Sequence, residues 1–433
     1  MNLVQITPGA GGMYCGNCFR DNALVAALRQ QGHSTLMIPL YLPMTLDEED
    51  QSTGTPIFFS GVNVYLEQQS SFFRNAPNWL HKLLASPRLL KWASGRAAKT
   101  RAEDVGELTI SMLRGEEGNQ ARELDELIAW LKPQPKPDAI CLSNAMLVGL
   151  ARKLKQELGS PIVCMLQGED AFLDAMTSPT REEVWKTLAD RCKDVDLFLA
   201  PSRYFGDLMT RRLGLPKEKV HVLFNGINLD GYDKTVIPPS PNHPPVIGYF
   251  ARMCKDKGLD TLVEAFLLLK QRNRVPLLKL RVGGGCGPTD EPFVQQLKER
   301  IQRAGHLSSV EFRPNVTREE KLQFYRGLNV FSVPAVYGEA FGLYVIESLA
   351  AGVPVVQPRT ASFPELVEAT GGGALFEPGK AEALADTIEK LLLEDDLRRD
   401  LAQAGHHSVH SRFGIDHMAT ELAGLFERSL PRR

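Results

Sequence analysis

Two glutamates, Glu339 and Glu347, stand eight residues apart in a stretch rich in glycine and apolar residues. Carboxylates so placed could bind sugar hydroxyls or serve acid–base chemistry at a glycosidic bond. If the whole spacing were helical, the two Cα atoms would lie about 12 Å apart and differ in direction by roughly 80°. A glycosidase pair needs its carboxyl groups about 5–9.5 Å apart across one bond. The spacing therefore favours two separate contacts with one ligand.

The local sequence places the two carboxylates on different elements. A short apolar helix is predicted over residues 343–351, with glycines before it and a Gly-Val-Pro sequence that ends it. Glu339 then lies on the preceding loop and Glu347 on the helix. Between them are backbone N–H groups of the kind that bind anions or sugar hydroxyls, and these belong to Phe341, Gly342 and Leu343.

Residues 337–356 resemble the E-x7-E motif of retaining glycosyltransferases with the GT-B fold, in particular glycosyltransferase family four. The resemblance implies that Glu339 meets the hydroxyls of a donor sugar and that Glu347 binds the ribose of its nucleotide. It extends over nearly the whole chain. The alternative interpretation is an ordinary helix N-terminus, where the helix dipole favours acidic residues.

Two cations in the second half of the chain fit the same resemblance. Arg252 and Lys257 stand five residues apart after a predicted strand, where the family holds the donor diphosphate. Fixed cations stabilise the charge that develops on a departing diphosphate, without a bound metal. The resemblance thus implies no metal and no cofactor beyond the sugar nucleotide. The alternative is that both cations are solvated surface residues.

Glycine-rich loops follow other predicted strands. Gly11 and Gly12 follow the first strand and Gly284 lies in a Gly-Gly-Gly-Cys-Gly run, both suited to a close approach of backbone to a diphosphate. Simple turns explain the same glycines. Val316 falls in the segment whose backbone reads the nucleobase in the family. Because Pro314 stands where a glycine is common, the base stays open: a UDP-sugar is favoured, with GDP- and ADP-sugars as alternatives.

The first half departs from the family at one position. Gln167 stands where many relatives place a histidine beside the reacting sugar. Glutamine transfers no proton at neutral pH but offers amide hydrogen bonds. It therefore fits a front-face mechanism, in which the leaving phosphate oxygen accepts the proton of the incoming hydroxyl. Glu169 and Asp170 either position the acceptor or cap a helix that starts at residue 171, and Asn225 is placed on the acceptor side or in a turn.

Composition limits the other functions. The chain has 433 residues, 43% hydrophobic and 24% charged, and a formal net charge of −2. This length predicts two domains, and the charge gives no field that would recruit nucleic acid. No signal peptide or membrane-spanning run is recognisable, so a cytoplasmic location is expected. Monomer and homodimer remain open.

One segment could contact lipid. Residues 68–102 contain no acidic residue but seven Lys or Arg and four Phe or Trp. Basic and aromatic side chains suit anionic headgroups, which suggests a lipid-linked acceptor or a peripheral contact with the inner membrane face. The alternative is a helical lid packed on its own domain, since the apolar residues around Trp79 have helical spacing.

The seven cysteines are expected to be reduced, because the number is odd and no signal peptide is present. Most are interpreted as small buried apolar residues. Cys15 and Cys18 form a C-x-x-C sequence before a helix, which also occurs in metal and redox sites.

Short apolar runs, such as the strand predicted at 277–282, alternate with helices, such as those predicted at 22–31 and 259–272. This alternation predicts parallel sheets buried on both faces. A proline-rich segment at 237–245 reads as a linker. The predicted domains are 1–237 on the acceptor side and 238–410 for the donor, followed by a crossover segment, 411–433. The predicted fold class is α/β of GT-B type, with two doubly wound Rossmann-like domains facing a cleft. The helix predicted at 415–430 crosses back to the first domain in that fold.

These patterns predict a retaining transferase that moves a hexosyl group from a nucleoside diphosphate sugar to a hydroxyl of a sugar, glycan or lipid-linked acceptor. Two alternatives remain open. GT-B scaffolds also serve epimerases and phosphorylases, and a non-catalytic sugar-nucleotide-binding protein would share the fold.

Overall fold

The computed structural model describes residues 1–9, 16–44, 46, 48–74, 76–77, 105–236 and 243–430. The chain divides into two compact units. One contains Met1–Gly226 and the chain from Met418 onward, and the other contains Ile227–His417. Each unit is built on a six-stranded parallel sheet. The predicted α/β class with two doubly wound domains is confirmed.

The sheet of the first unit has the order β2-β1-β3-β4-β5-β6, and every neighbouring pair is parallel. All residues of β3, β4 and β5 are buried, because helices cover both faces. The order changes direction between β1 and β3, which is where open α/β sheets form binding crevices. The strands are β1 (Asn2–Pro8), β2 (Ser34–Leu40), β3 (Ala139–Leu142), β4 (Ile162–Met165), β5 (Leu197–Ala200) and β6 (Val220–Val222).

Helices connect these strands. The α-helices are α1 (Gly16–Gln30), α2 (Gly61–Gln69), α3 (Ser71–Arg74), α4 (Gly106–Arg114), α5 (Ala121–Leu131), α6 (Ala151–Leu158), α7 (Glu169–Asp174), α8 (Thr180–Arg191) and α9 (Arg203–Leu213). Short 3₁₀ helices lie at Gly115–Glu117, Ala145–Leu150, Cys192–Asp194 and Lys217–Lys219.

The sheet of the second unit has the order β12-β11-β10-β7-β8-β9, again with all pairs parallel. Its strands are β7 (Val246–Phe250), β8 (Lys279–Gly284), β9 (Val310–Pro314), β10 (Val330–Phe331), β11 (Val355–Pro358) and β12 (Gly373–Phe376). Its helices are α10 (Leu259–Arg272), α11 (Glu291–Arg303), α12 (Arg318–Tyr325), α13 (Leu343–Ala350), α14 (Phe363–Thr370), α15 (Ala381–Leu393) and α16 (Asp395–Arg412), with 3₁₀ helices at Lys255–Lys257 and Leu307–Ser309.

The final helix, α17 (Ile415–Ser429), starts in the second unit and continues in the first. Its buried residues recur at helical spacing, and the backbone N–H of Gly226 points at the sulfur of Met418 at 3.2 Å. The boundaries between the two compact units lie at 226/227 and 417/418. The domain limits predicted from sequence were 237/238 and 410/411, and residues 237–242 lie outside the described part of the chain.

Two element boundaries differ from their predictions. The first helix was predicted from residue 22 but begins at Gly16. The strand predicted from residue 277 begins at Lys279, because Leu277 has a φ of 58° and is 73% exposed. An extended strand cannot pass through that left-handed conformation.

A row of aromatic rings includes residues of the two central strands of the second sheet, β7 and β10. Consecutive ring centroids are 5.1 to 6.4 Å apart along Phe250, Phe324, Tyr325, Phe331, Tyr344 and Phe363. Such packing fixes the rings of Tyr325 and Tyr344, whose hydroxyls reach polar partners. Within the described ranges, none of the helices combines the length and apolar character that a bilayer crossing needs.

Candidate functional site

The loops after β7, β8 and β9 are joined to one another by backbone hydrogen bonds. Met253 N–H donates to the carbonyl of Gly285 at 2.8 Å, and Asn315 N–H donates to that of Gly284 at 2.9 Å. Gly284 has a φ of 112°, and a Cβ there would lie 2.1 Å from the carbonyl oxygen of Ala251. Only glycine permits this approach, so the residue is needed to bring the loops together.

Glu339 is the centre of a polar cluster at this edge. Its Oε2 accepts hydrogen bonds from Lys257 Nζ at 2.5 Å, from the Tyr344 hydroxyl at 2.8 Å and from the Tyr337 hydroxyl at 3.0 Å. Lys257 also donates to the Tyr337 hydroxyl. The side chains of Lys257 and Glu339 are only 20% and 13% exposed. The cluster therefore holds one carboxylate and one ammonium in a largely dry environment.

The cluster keeps Glu339 ionised. Burial alone would raise the pKa of Glu339, but the Lys257 ammonium and the hydrogen bonds from Lys257, Tyr344 and Tyr337 outweigh burial and lower that pKa. Burial and the neighbouring carboxylate raise the pKa of Tyr337 and of Tyr344. Both tyrosines thus remain protonated donors at neutral pH.

Glu347 has a separate set of partners. Its Oε1 accepts from Lys321 Nζ at 3.1 Å and its Oε2 from the Tyr325 hydroxyl at 3.2 Å. The side chains of Glu347 and Lys321 are 11% and 8% exposed. The two glutamates of the motif are therefore held independently, as predicted: Glu339 on the loop and Glu347 on α13.

The start of α13 lies between them. Gly342 is the N-cap residue with a φ of 90°, and the first backbone N–H groups of the helix, beginning at Leu343, have no acceptor within it. The Phe341 side chain is buried and its carbonyl accepts from the Ser362 hydroxyl at 2.9 Å. This turn is therefore fixed by backbone and packing.

Arg252 has a carboxylate partner of its own. Its Nε donates to Asp290 Oδ2 at 3.0 Å and its Nη2 to Oδ1 at 2.9 Å, with a longer contact from Nη2 to the Thr289 hydroxyl at 3.4 Å. The Asp290 side chain is 7% exposed and that of Arg252 is 60% exposed. Asp290 thus orients a guanidinium whose outer face reaches solvent.

The loop before Val316 is fixed by an asparagine. Asn315 has a φ of 54°, and its amide both accepts from the N–H and donates to the carbonyl of Cys286, each at 2.9 Å. Val316 itself is half-buried. Its predicted role at the nucleobase stays a prediction.

In the first unit, Gln167 follows β4 and its Oε1 accepts from Asn225 Nδ2 at 3.4 Å. Glu169 is buried and accepts from the backbone N–H of Ala145 at 2.7 Å and of Gln167 at 2.9 Å. Burial raises the pKa of Glu169, opposed by these hydrogen bonds. Glu169 therefore fastens the end of β4 to the chain after β3.

Asp170 follows in the first turn of α7, which begins two residues earlier than predicted, with Gly168 as N-cap. Burial and the charge of Asp174 raise the pKa of Asp170. One buried oxygen each of Asp170 and Asn225 has no hydrogen-bond partner within the part of the chain that the structure describes. Both oxygens can accept from a hydroxyl group.

Some residues of the predicted site, and most of the basic segment 68–102, lie outside the part of the chain that the structure describes. These residues are Gly11, Gly12 and Cys15. Cys18 is disulfide-bonded, so the expectation of reduced thiols is wrong for this residue. The burial expected of cysteine as an apolar residue is found for Cys141, Cys164 and Cys192. Among the described residues, no group of three or more His, Cys, Asp or Glu side chains is arranged to hold a metal ion.

Sequence reasoning missed the partners that hold the predicted residues. These are Tyr337, Tyr344, Asp290, Lys321 and Tyr325. The position of the two tyrosines near Glu339, two residues before and five after it, was the one available signal.

Two family models match the chain. The model described as Glycosyltransferase Family 4 covers residues 94–230, and the one described as Glycosyl transferases group 1 covers residues 233–408. The first range contains Gln167 and Asn225, and the second contains Arg252, Lys257 and both glutamates of the motif.

Curated proteins and solved structures agree with these models. The chain is 29% identical over 255 residues to D-inositol 3-phosphate glycosyltransferase of Xylanimonas cellulosilytica, which covers 55% of this chain and 58% of that protein. It therefore spans little more than half the length of that relative. Sucrose-phosphate synthase of Thermosynechococcus elongatus has a TM-score of 0.71 at 18% identity, with 99% of each chain covered. Anabaena HepE, in complex with UDP and glucose, has a TM-score of 0.68 at 15% identity, covering 99% of this chain and 100% of that one.

At these identities the solved structures show the fold, and the predicted GT-B fold is confirmed. The two family models, both of glycosyltransferases, support the resemblance to glycosyltransferase family four.

Proposed function

We propose that this chain is a retaining glycosyltransferase that transfers a hexosyl group from a nucleoside diphosphate sugar to a hydroxyl of an acceptor. The observation that carries the proposal is the pair formed by Lys257 and Glu339 beside the start of α13. The pair offers an ionised hydrogen-bond acceptor for sugar hydroxyls next to a cation and backbone N–H groups for phosphate. Arg252 in the loop after the same strand adds a second cation.

The donor is held at several points in this proposal. Arg252 and Lys257 bind the diphosphate, because a guanidinium oriented from behind by a carboxylate can still present its free N–H groups to phosphate. Glu339 accepts from the sugar hydroxyls, and Glu347 accepts from the ribose hydroxyls. The complexes of HepE with UDP and with UDP-glucose support a UDP-sugar as the first donor to test.

The transfer proceeds on one face of the sugar. The bond between the anomeric carbon and the phosphate oxygen breaks, and the acceptor oxygen forms the new bond from the same side. The proton of the acceptor hydroxyl passes to the leaving phosphate oxygen. Arg252 and Lys257 stabilise the charge that grows on the diphosphate. Gln167 and Asn225 contribute hydrogen bonds rather than proton transfer.

The acceptor is proposed to be a sugar, glycan or lipid-linked hydroxyl compound bound by the first unit. The names of the relatives suggest inositol 3-phosphate and a hexose phosphate as the first acceptors to test. A contact of residues 68–102 with the inner membrane face remains a hypothesis. Flotation with liposomes tests it, and binding that does not depend on anionic lipid would count against it.

The decisive experiment incubates the protein with UDP-, GDP- and ADP-sugars, each with and without acceptors, and follows the released nucleoside diphosphate. We expect acceptor-dependent release with one donor, and a product with the anomeric configuration of the donor by NMR. Glu339→Gln should lower this rate at least about 100-fold, as loss of a preorganised contact does. Glu368→Gln, an exposed glutamate of the same unit, is the matched control.

Each result has a defined meaning. Release that Glu339→Gln leaves unchanged would refute the role given to Glu339. Tight binding of a sugar nucleotide without turnover for any acceptor would favour a non-catalytic binding protein, and conversion of the donor without an acceptor would favour an epimerase.

A further inference from the structure

Three hydrogen-bond donors converge on a single oxygen of Glu339. The Tyr337 hydroxyl, the Tyr344 hydroxyl and Lys257 Nζ all point at Oε2. Each hydrogen bond to the charged form of a carboxylate favours ionisation. The convergence on one oxygen also fixes the rotation of the carboxyl group, and so the direction in which Oε1 points.

Lys257 is shared between several of these groups. Its Nζ donates to both the Tyr337 hydroxyl and Glu339, and it lies 4.8 Å from the ring centroid of Tyr337 and 5.4 Å from that of Tyr344. Ring faces attract cations at such distances. The Tyr337 hydroxyl thus accepts from the ammonium and donates to the carboxylate.

We propose that Tyr337 and Tyr344 are positioning residues that hold Glu339 in place and ionised when a bound diphosphate draws Lys257 away from it. The proposal rests on the function proposed above. The diphosphate competes with Glu339 for the same ammonium. As that ion pair weakens, the carboxylate loses its main counter-charge inside a largely dry site. The two hydroxyls remain, because both donate to Glu339 itself.

The sequence places both tyrosines well for this task. Tyr344 lies in the first turn of α13 and is packed between Phe331 and Phe363, so its ring cannot follow the lysine. Tyr337 lies on the loop with Glu339 itself. The other titratable groups that act on the two tyrosine hydroxyls are Tyr249, Cys254 and Asp256.

Tyrosine-to-phenylalanine variants test the proposal, since they remove the hydroxyl and keep the ring over Lys257. The variants are Tyr337→Phe, Tyr344→Phe and the pair, with Tyr65→Phe as a matched control at a tyrosine 60% exposed in the other unit. The sign follows from the hydrogen bonds: each lowers the pKa of Glu339, so its removal raises that pKa. We expect the acidic limb of the kcat profile, measured at saturating donor, to move up by about one pH unit per hydroxyl removed.

A second measurement needs no turnover. The Tm of donor-free protein is measured at pH 7. Each tyrosine variant is made in the parent protein and in the Glu339→Gln variant. Tyr344→Phe should lower the Tm of the parent protein. In the Glu339→Gln background the decrease should be at most half as large, because the hydroxyl there donates to an uncharged partner.

The two measurements separate the proposals. An unshifted acidic limb in the double variant, or an equal fall in Tm in both backgrounds, would overturn the positioning role and leave the tyrosines as packing residues. If the parent protein transfers no sugar, the proposed function fails, while the Tm comparison still decides whether the hydroxyls act through Glu339.

Discussion

Replacing Lys257 with methionine removes the cation from Glu339 while keeping a side chain of similar length. Nζ lies 2.5 Å from Glu339 Oε2, and both side chains are mostly buried. The variant leaves a carboxylate with two tyrosine donors and no counter-charge. We expect a loss of both stability and activity, with different sizes and different causes.

The stability loss follows from burial. Removing one partner of a buried ion pair costs about 3–5 kcal/mol. Because two hydroxyls stay on Glu339 and the pair is partly exposed, we expect about 2 kcal/mol. The activity loss is larger, since Lys257 is also proposed to bind the leaving diphosphate: kcat/KM should fall by about 100- to 1000-fold. In the Glu339→Gln background, Lys257→Met should cost little stability, since no charge is stranded.

Urea titration measures the first quantity, and initial rates of nucleoside diphosphate release measure the second. Lys255→Met is the matched control, because Lys255 lies exposed in the same 3₁₀ helix. Equal effects of the two lysine variants would refute the reasoning. So would a stability loss for Lys257→Met that is the same with and without the Glu339 carboxylate.

Three further substitutions address the other contacts. Asp290→Asn should raise the KM for the donor about tenfold, because Arg252 is then held less firmly. It should change the free energy of unfolding by less than about 1 kcal/mol, because the Arg252 side chain is 60% exposed. Kinetics and urea titration on one preparation check both values. Glu347→Gln should weaken the binding of UDP about tenfold by calorimetry and affect kcat less, and equal losses in both would contradict a role limited to the nucleotide. Gln167→Ala should slow nucleoside diphosphate release in the presence of acceptor and leave the release without acceptor unchanged, and initial rates under both conditions check this.

Periodicity and turn residues were sufficient for most of the fold. The helix predicted at 259–272 is α10 with the same limits, and the last helix differs from its prediction by one residue. In both, apolar residues repeat at helical spacing, and burial of one face follows directly. The left-handed Leu277 shows where this fails, since no local pattern predicts a positive φ for leucine.

The candidate site was predictable in its charged residues but not in their partners. The motif spacing predicted that Glu339 lies on a loop and Glu347 on a helix, and the limits of α13 agree with this. Asp290 stands 38 residues after Arg252, so its contact depends on how the loops after β7 and β8 meet. The direction of a tyrosine hydroxyl is equally unpredictable from sequence, because it is set by the packing of the ring in the folded unit.

The partners of Glu339 also bear on the mechanism of the proposed retaining transfer. A carboxylate that attacks the anomeric carbon needs an oxygen with free lone pairs and substantial basicity. Glu339 has a lowered pKa, and one of its oxygens accepts three hydrogen bonds. Each of these donors weakens the carboxylate as a nucleophile and strengthens it as a fixed acceptor for sugar hydroxyls. This argues against a covalent intermediate on Glu339 and for transfer on one face, with the phosphate oxygen as base. A glycosyl-enzyme trapped on Glu339 by a fluorinated donor would refute that argument.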